Sequence, residues 1–171
     1  MILKMYKILT YINHNIPSDI LSEIIRVKSN AWPYPFEKQL EWIQQNLLKE
    51  DIHVLLQNAN ENLAYLNLTL RQTNINDINV DVYGVGNVCS AKKGNGYGTE
   101  LMKLINLYLI ENQKIGLLFC KDNLVEYYSK FNWIMINKSQ IIDSPILKHI
   151  NTMVFNYHGT IDTFRFNGKL F

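Results

Sequence analysis

Val85-Gly-Asn-Val-Cys-Ser-Ala-Lys-Lys-Gly-Asn-Gly-Tyr-Gly-Thr-Glu-Leu-Met102, continuing to Leu109, reads as a strand, a turn with glycine at 94, 96 and 98, and a helix. Leu101, Met102, Ile105, Tyr108 and Leu109 recur at helical spacing and make one apolar stripe. A helix start collects unpaired backbone N–H groups at the positive end of the helix dipole, which suits an anion. Glycine at alternate positions allows positive φ and close approach of a bulky polyphosphate. Lys92 and Lys93 add positive charge at the mouth of the turn. The spacing matches neither the dinucleotide fingerprint, which needs one residue more, nor the nucleoside-triphosphate loop, which needs Lys-Ser/Thr after the last glycine. A phosphate cradle and a plain strand-to-helix turn are the two readings of this stretch alone.

The surrounding composition narrows the field. A chain of 171 residues, 47% hydrophobic and 19% charged, has the make-up of one well-cored globular domain, residues 1–171. A formal net charge of +2 without a basic stripe gives no support to nucleic-acid binding. Cys89 and Cys120 lack metal spacing and a C-x-x-C pattern, so two buried thiols are expected, with no metal, and a nucleophilic Cys120 is the lesser reading. No apolar run approaches membrane-spanning length and the N-terminus alternates like a strand, so a cytoplasmic protein without a membrane partner is expected.

Outward from the centre, Ile2–Ile12 reads as a strand, and a helix follows with Asn15 as its cap and Pro17 in its first turn. Trp32-Pro33-Tyr34-Pro35 breaks that helix, and Phe36–Leu48 resumes the helical period. His53–Gln57 and Leu63–Arg71 form a hairpin, Gln72–Asn79 is a polar loop, and Val80–Ser90 leads into the glycine turn. Within that strand Gly84, Gly86 and Val88 share one face and Tyr83, Val85, Asn87 and Cys89 the other. Ile115–Cys120 is a buried strand, Asn123–Phe131 a short helix and Trp133–Asn137 a strand. The tail alternates at Met153, Phe155 and Tyr157, then runs Ile161–Phe166 to a turn signal at Asn167-Gly168. This is a mixed α/β domain with a strand–helix–strand crossing at its centre.

Two segments carry a family resemblance. Val88 followed by Lys93-Gly94-Asn95-Gly96-Tyr97-Gly98, and Tyr127-Tyr128 followed by Phe131-Asn132-Trp133, resemble the two motifs of the GCN5-related N-acetyltransferase superfamily. The first is Arg or Gln, two residues, Gly, one residue, Gly or Ala, here opened by Lys93. The second is an aromatic-Tyr pair with Gly-aromatic a turn later, where Asn132 replaces glycine and can adopt the same left-handed backbone. The resemblance covers residues 63–137. It implies a mixed, mostly antiparallel sheet splayed at a central parallel strand pair and flanked by helices.

It also implies acetyl transfer from acetyl-CoA, as co-substrate, to a primary amine by direct attack. The pyrophosphate would lie on Lys93, Gly94, Asn95, Gly96, Tyr97, Gly98 and Thr99, and the pantetheine along Gly86, Asn87 and Val88. Tyr128 would protonate the leaving thiolate, and Lys121 stands where relatives often bind pantetheine through Asn. Glutamates that often help relatives deprotonate the amine are replaced by Gly84 and Gly116, which leaves His53, Asp81, Glu126 or a water chain. Trp32–Phe36 falls where the family builds its acceptor wall. Ile161-Asp162-Thr163-Phe164 and the tail to Phe171 more weakly resemble the aminoglycoside N-acetyltransferases, so a small-molecule amine, aminoglycoside-like in one version, is the expected acceptor. Terminal strands of the family often pair between subunits, which makes a homodimer an expectation. A catalytically silent acyl-CoA-binding or sensing domain, or transfer of a longer acyl chain over the bare Gly84/Gly86 face, are the alternatives.

Overall fold

The computed structural model describes residues 5–171. Alternating side chains put Tyr6–Ile12 in a strand, β1, and the predicted residues Ile2–Lys4 lie outside the described part. Asn15 does not cap the next helix. Asn13–Asn15 form a short 3-10 turn, and Pro17 takes the cap position with no side-chain cap bond, ahead of α1, Ser18–Ser29. Pro35 plays the same part for α2, Phe36–Asn46. Its fixed φ preorganises a helix start without using a backbone donor.

β2 is Ile52–Asn58, β3 is Glu61–Ile75 and β4 is Ile78–Ser90. Most of the polar stretch Gln72–Asn79 is therefore strand, not loop. The turn is confined to Asn76 and Asp77, both left-handed at φ 51 and 63, the signature of a two-residue hairpin. The polar side chains are used: Asn76 Nδ2 donates to the Thr160 carbonyl, and its Oδ1 accepts the amides of Asp162 and Thr163. Arg165 reaches Asn74, Asp77 and Asp143.

α3 is Tyr97–Glu111, β5 is Ile115–Cys120 and α4 is Asp122–Ser129. β6 is only Ile134–Met135, β7 is Asn151–Phe155, and β8 is Phe164–Arg165. No further strand follows Asn167-Gly168 among the described residues. The strands run β1-β2-β3-β4-β5-β7-β6, with β8 added to β3. β4 and β5 are parallel, as a helical crossover through α3 requires. The pairs β1–β2, β2–β3, β3–β8, β5–β7 and β6–β7 are antiparallel, so the sheet is mixed and mostly antiparallel.

Two compact units divide the chain. The first takes the described residues up to Thr69 together with Gly86–Ile105, the second Leu70–Val85 with Asn106–Phe171. In the first, Ile24 and Val27 of α1 pack with Leu55, Tyr65 and Cys89, while Ile25, Ile43 and Leu47 join α1 to α2. In the second, Ile75, Val82, Leu117 and Val154 form a core closed by Phe164 and Phe166.

Candidate functional site

In the first unit β4 does not stay regular. Asn87 has φ 54, a left-handed conformation in the interior of a strand, which Asn reaches more cheaply than any side chain except Asp. Its Nδ2 donates to Oδ1 of Asn67 on β3 at 2.6 Å. The kink resets the alternation of faces. Cys89, beyond the kink, packs with Tyr65. The left-handed residue interrupts the regular alternation that the sequence reading ran from Gly84 through Gly86 to Val88.

Beyond the kink, the Ala91 amide bonds the Leu63 carbonyl at 2.8 Å and Ser90 Oγ donates to the Lys92 carbonyl. Gly94 and Gly96 take φ 80 and 76, and an added Cβ at either would meet nothing within 4 Å. Gly98, read from sequence as part of the turn, lies inside α3. The Glu100 amide bonds the Gly96 carbonyl at 3.1 Å, so the helix ladder leaves the amides of Tyr97, Gly98 and Thr99 without intrahelical partners. Lys93, Gly94, Asn95 and Gly96 are exposed before them. Glu100 would repel an anion here, and Lys103 at 2.9 Å offsets its charge. An open, backbone-lined and electropositive turn of this kind can hold a phosphate.

Tyr128 lies in the second unit, on α4, and is 7% exposed. Burial, then the neighbouring Tyr127 and Cys120, push its phenol far above the usual value, so it is a donor at neutral pH. Tyr127 packs edge-on against Tyr128 and Phe131, a packing role. Asn132 has φ 64, as its replacement of glycine requires. Burial also raises the Cys120 thiol, which argues against a thiolate there. Lys121 occupies the cap of α4.

Gly84 and Gly116 are sites of close approach. A Cβ on Gly84 would sit 2.4 Å from Cζ of Phe171, and one on Gly116 would sit 2.6 Å from Trp133. Phe171 packs at a tilt against Phe119, with ring centres 4.8 Å apart. Rings thus fill the space over both glycines, the positions of the family's helpful glutamates.

Among the other base candidates, His53 is wholly buried in the first unit. The Tyr65 hydroxyl donates to its Nδ1 at 2.8 Å, while its Nε2–H donates to Asn13 Oδ1 at 2.9 Å. Burial and nearby Lys28 lower it to about 4, so it is a neutral member of a closed network. Lys28 is itself buried, with Nζ 4.2 Å from the Trp42 ring centre, and burial lowers it to about 8. Cys89 is raised to about 12. Asp81 is exposed and accepts from Gln72, and Glu126 is exposed beside Lys130. Trp32 joins the Ile24–Val27 cluster, whereas Tyr34 and Phe36 are exposed.

The predicted coenzyme residues Gly86, Asn87, Val88, Lys93, Gly94, Asn95, Gly96, Tyr97, Gly98 and Thr99 thus fall in one unit and one continuous segment; Tyr128 belongs to the other. Sequence reading missed Asn67. Its signal was faint, a single amide in the apolar run Leu63-Ala-Tyr-Leu-Asn-Leu.

No protein-family model matches the sequence, and no curated protein does. Solved structures do. An acyl-CoA N-acyltransferase from Pseudomonas aeruginosa superposes with a TM-score of 0.59 at 17% identity, over 88% of this chain and 99% of that one. A GNAT family acetyltransferase from Brucella melitensis, solved in complex with acetyl-CoA, gives 0.57 at 15%, over 96% and 97%. A conserved Enterococcus faecalis protein gives 0.61 at 15%, over 76% of this chain, which spans only 32% of that protein's length. With its parallel β4–β5 pair, its kinked β4 and the glycine turn into α3, the chain has the fold of the GCN5-related N-acetyltransferases.

Proposed function

We propose that the protein is an acyl-CoA-dependent N-acyltransferase that moves an acetyl group from acetyl-CoA to a primary amine of a small molecule. The observation that carries this reading is the segment Gly86–Thr99: a strand kinked at Asn87, two left-handed glycines and the open amides of α3, within an N-acetyltransferase fold. The amides of Tyr97, Gly98 and Thr99, with Lys93, suit a pyrophosphate, and the main chain of Gly86, Asn87 and Val88 suits an extended pantetheine pairing like an added strand. The amine lone pair attacks the thioester carbonyl, the C–S bond breaks, the thiolate takes a proton from Tyr128, and the surplus proton on the new amide nitrogen restores the phenol by way of water. Holding both reactants together turns a bimolecular encounter into a local one. An alkyl ammonium of pKa about 10 must first lose a proton. The rings over Gly84 and Gly116 leave that step to water or to the acceptor itself.

The exposed rings of Tyr34 and Phe36 in the Trp32–Phe36 segment support a small acceptor, and the tail's weaker resemblance to the aminoglycoside N-acetyltransferases makes it aminoglycoside-like in one version. Calorimetric titration with acetyl-CoA, followed by thiol release over a panel of amines, tests the reading. Micromolar binding and acceptor-dependent thiol release are expected; absence of coenzyme binding overturns it. The same two rings favour a second reading, a silent acyl-CoA sensor, which binding without turnover on any amine would support. The longer-acyl alternative is left with Gly86 alone, because Phe171 occupies the space over Gly84.

A further inference from the structure

Asn67 is an expensive residue where it stands. It has no exposed surface, and its neighbours Tyr65, Leu66 and Leu68 are all buried. Its Oδ1 is held by Asn87, but its Nδ2 is buried with no hydrogen-bond partner. A buried amide left half-satisfied costs about 1–3 kcal/mol, and leucine would avoid that cost in this apolar run. Stability therefore does not explain it. What Asn67 does hold is the side chain of Asn87, the one residue of β4 with left-handed backbone. Asn87 needs that hold, because its extended neighbours favour an unbroken strand, in which residues 86–88 would keep a regular ladder.

We propose that Asn67 is a positioning residue: its bond to Asn87 clamps the kink in β4 that presents the main chain of residues 86–88 to the acyl-pantetheine arm. This rests on the N-acyltransferase reading and adds to it a residue outside the binding segment. The clamp sacrifices folding stability for coenzyme binding, and that trade separates it from a structural asparagine. Asn67→Leu keeps the volume, removes the orphaned donor and releases Asn87.

The test measures acetyl-CoA affinity by calorimetry and unfolding by denaturant for wild type, Asn67→Leu, Asn87→Gly, Asn87→Val and the Asn67→Leu/Asn87→Gly double variant. Asn67→Leu is expected to unfold at the same or higher denaturant while binding acetyl-CoA about tenfold more weakly, the size of one hydrogen bond. Asn87→Val, which resists left-handed φ, is expected to lose more affinity than Asn87→Gly, which accepts it. Asn67→Leu added to Asn87→Gly is expected to bring no further loss, since the clamp is already gone. Wild-type affinity in Asn67→Leu, or equal affinities for the Gly and Val variants, overturns the clamp and leaves the N-acyltransferase reading standing. A wild-type protein that binds no acetyl-CoA overturns both. Should Asn67→Leu fail to fold, Asn67→Ala takes its place: weaker acetyl-CoA binding in it supports the clamp and wild-type affinity overturns it.

Discussion

At the scale of single residues, burial without charge compensation sets the chemistry. His53 is neutral in the fold, lowered by burial and then by Lys28 to about 4 from an ordinary 6.5. The unfolded chain therefore binds a proton between these values that the folded chain refuses, so stability rises with pH there. Full stability is expected above about pH 6.5, with a loss of roughly 3 kcal/mol as pH falls towards 4, at 1.36 kcal/mol per pH unit. Urea unfolding between pH 8 and 4 checks this, with His53→Gln flattening the dependence. Tyr128 is the opposite case, a phenol that burial keeps protonated. Tyr128→Phe is expected to lower kcat on the order of a hundredfold while the acetyl-CoA dissociation constant stays near wild type, read by steady-state kinetics and calorimetry. A variant of unchanged kcat would remove Tyr128 from the mechanism.

At the scale of elements, the turn into α3 is a backbone device. Gly96 has φ 76 and open space around it, so Gly96→Val tests conformation without a clash. The variant is expected to lose on the order of 1–2 kcal/mol of stability, by left-handed strain, and to bind acetyl-CoA more weakly as the amides behind it shift. Denaturant unfolding and calorimetry report the two effects separately. The turn, α3, β5 and α4 were legible in the sequence because glycine spacing and apolar periodicity are local. The β3–β4 hairpin was not. Gln72–Asn79 is polar, and only contacts to residues 160–165 show why it is strand: Asn76 and Arg165 give its polar groups partners from far along the chain.

At the scale of the whole molecule, distant segments decide what a small residue is for. Gly84 reads in the sequence as a bare surface for a ligand, and the structure fills it with the ring of Phe171. Gly84→Ala is expected to cost about 1–3 kcal/mol by overpacking, and much less when Phe171→Ala is already present, since the ring that clashes is gone. Equal costs in both backgrounds, read by thermal unfolding, would show that the contact does not govern the site. Among the described residues no helix is long and apolar enough to cross a membrane, and no group of three or more His, Cys, Asp or Glu side chains could hold a metal.

The sequence alone determined the strand–turn–helix at residues 85–109 and the helical block at 127–133, because these features depend on φ preferences and on periodicities of two and 3.6 residues, and the resemblance of those two motifs to a known family supplied the fold. Tertiary structure alone decided that Asn67 meets Asn87, that His53 is sealed between Tyr65 and Asn13, and that Phe171 closes over Gly84. Those pairs lie 12 to 87 positions apart in the chain. Contacts at such separations leave no local pattern, since each residue is compatible with many partners until the sheet brings one of them within reach.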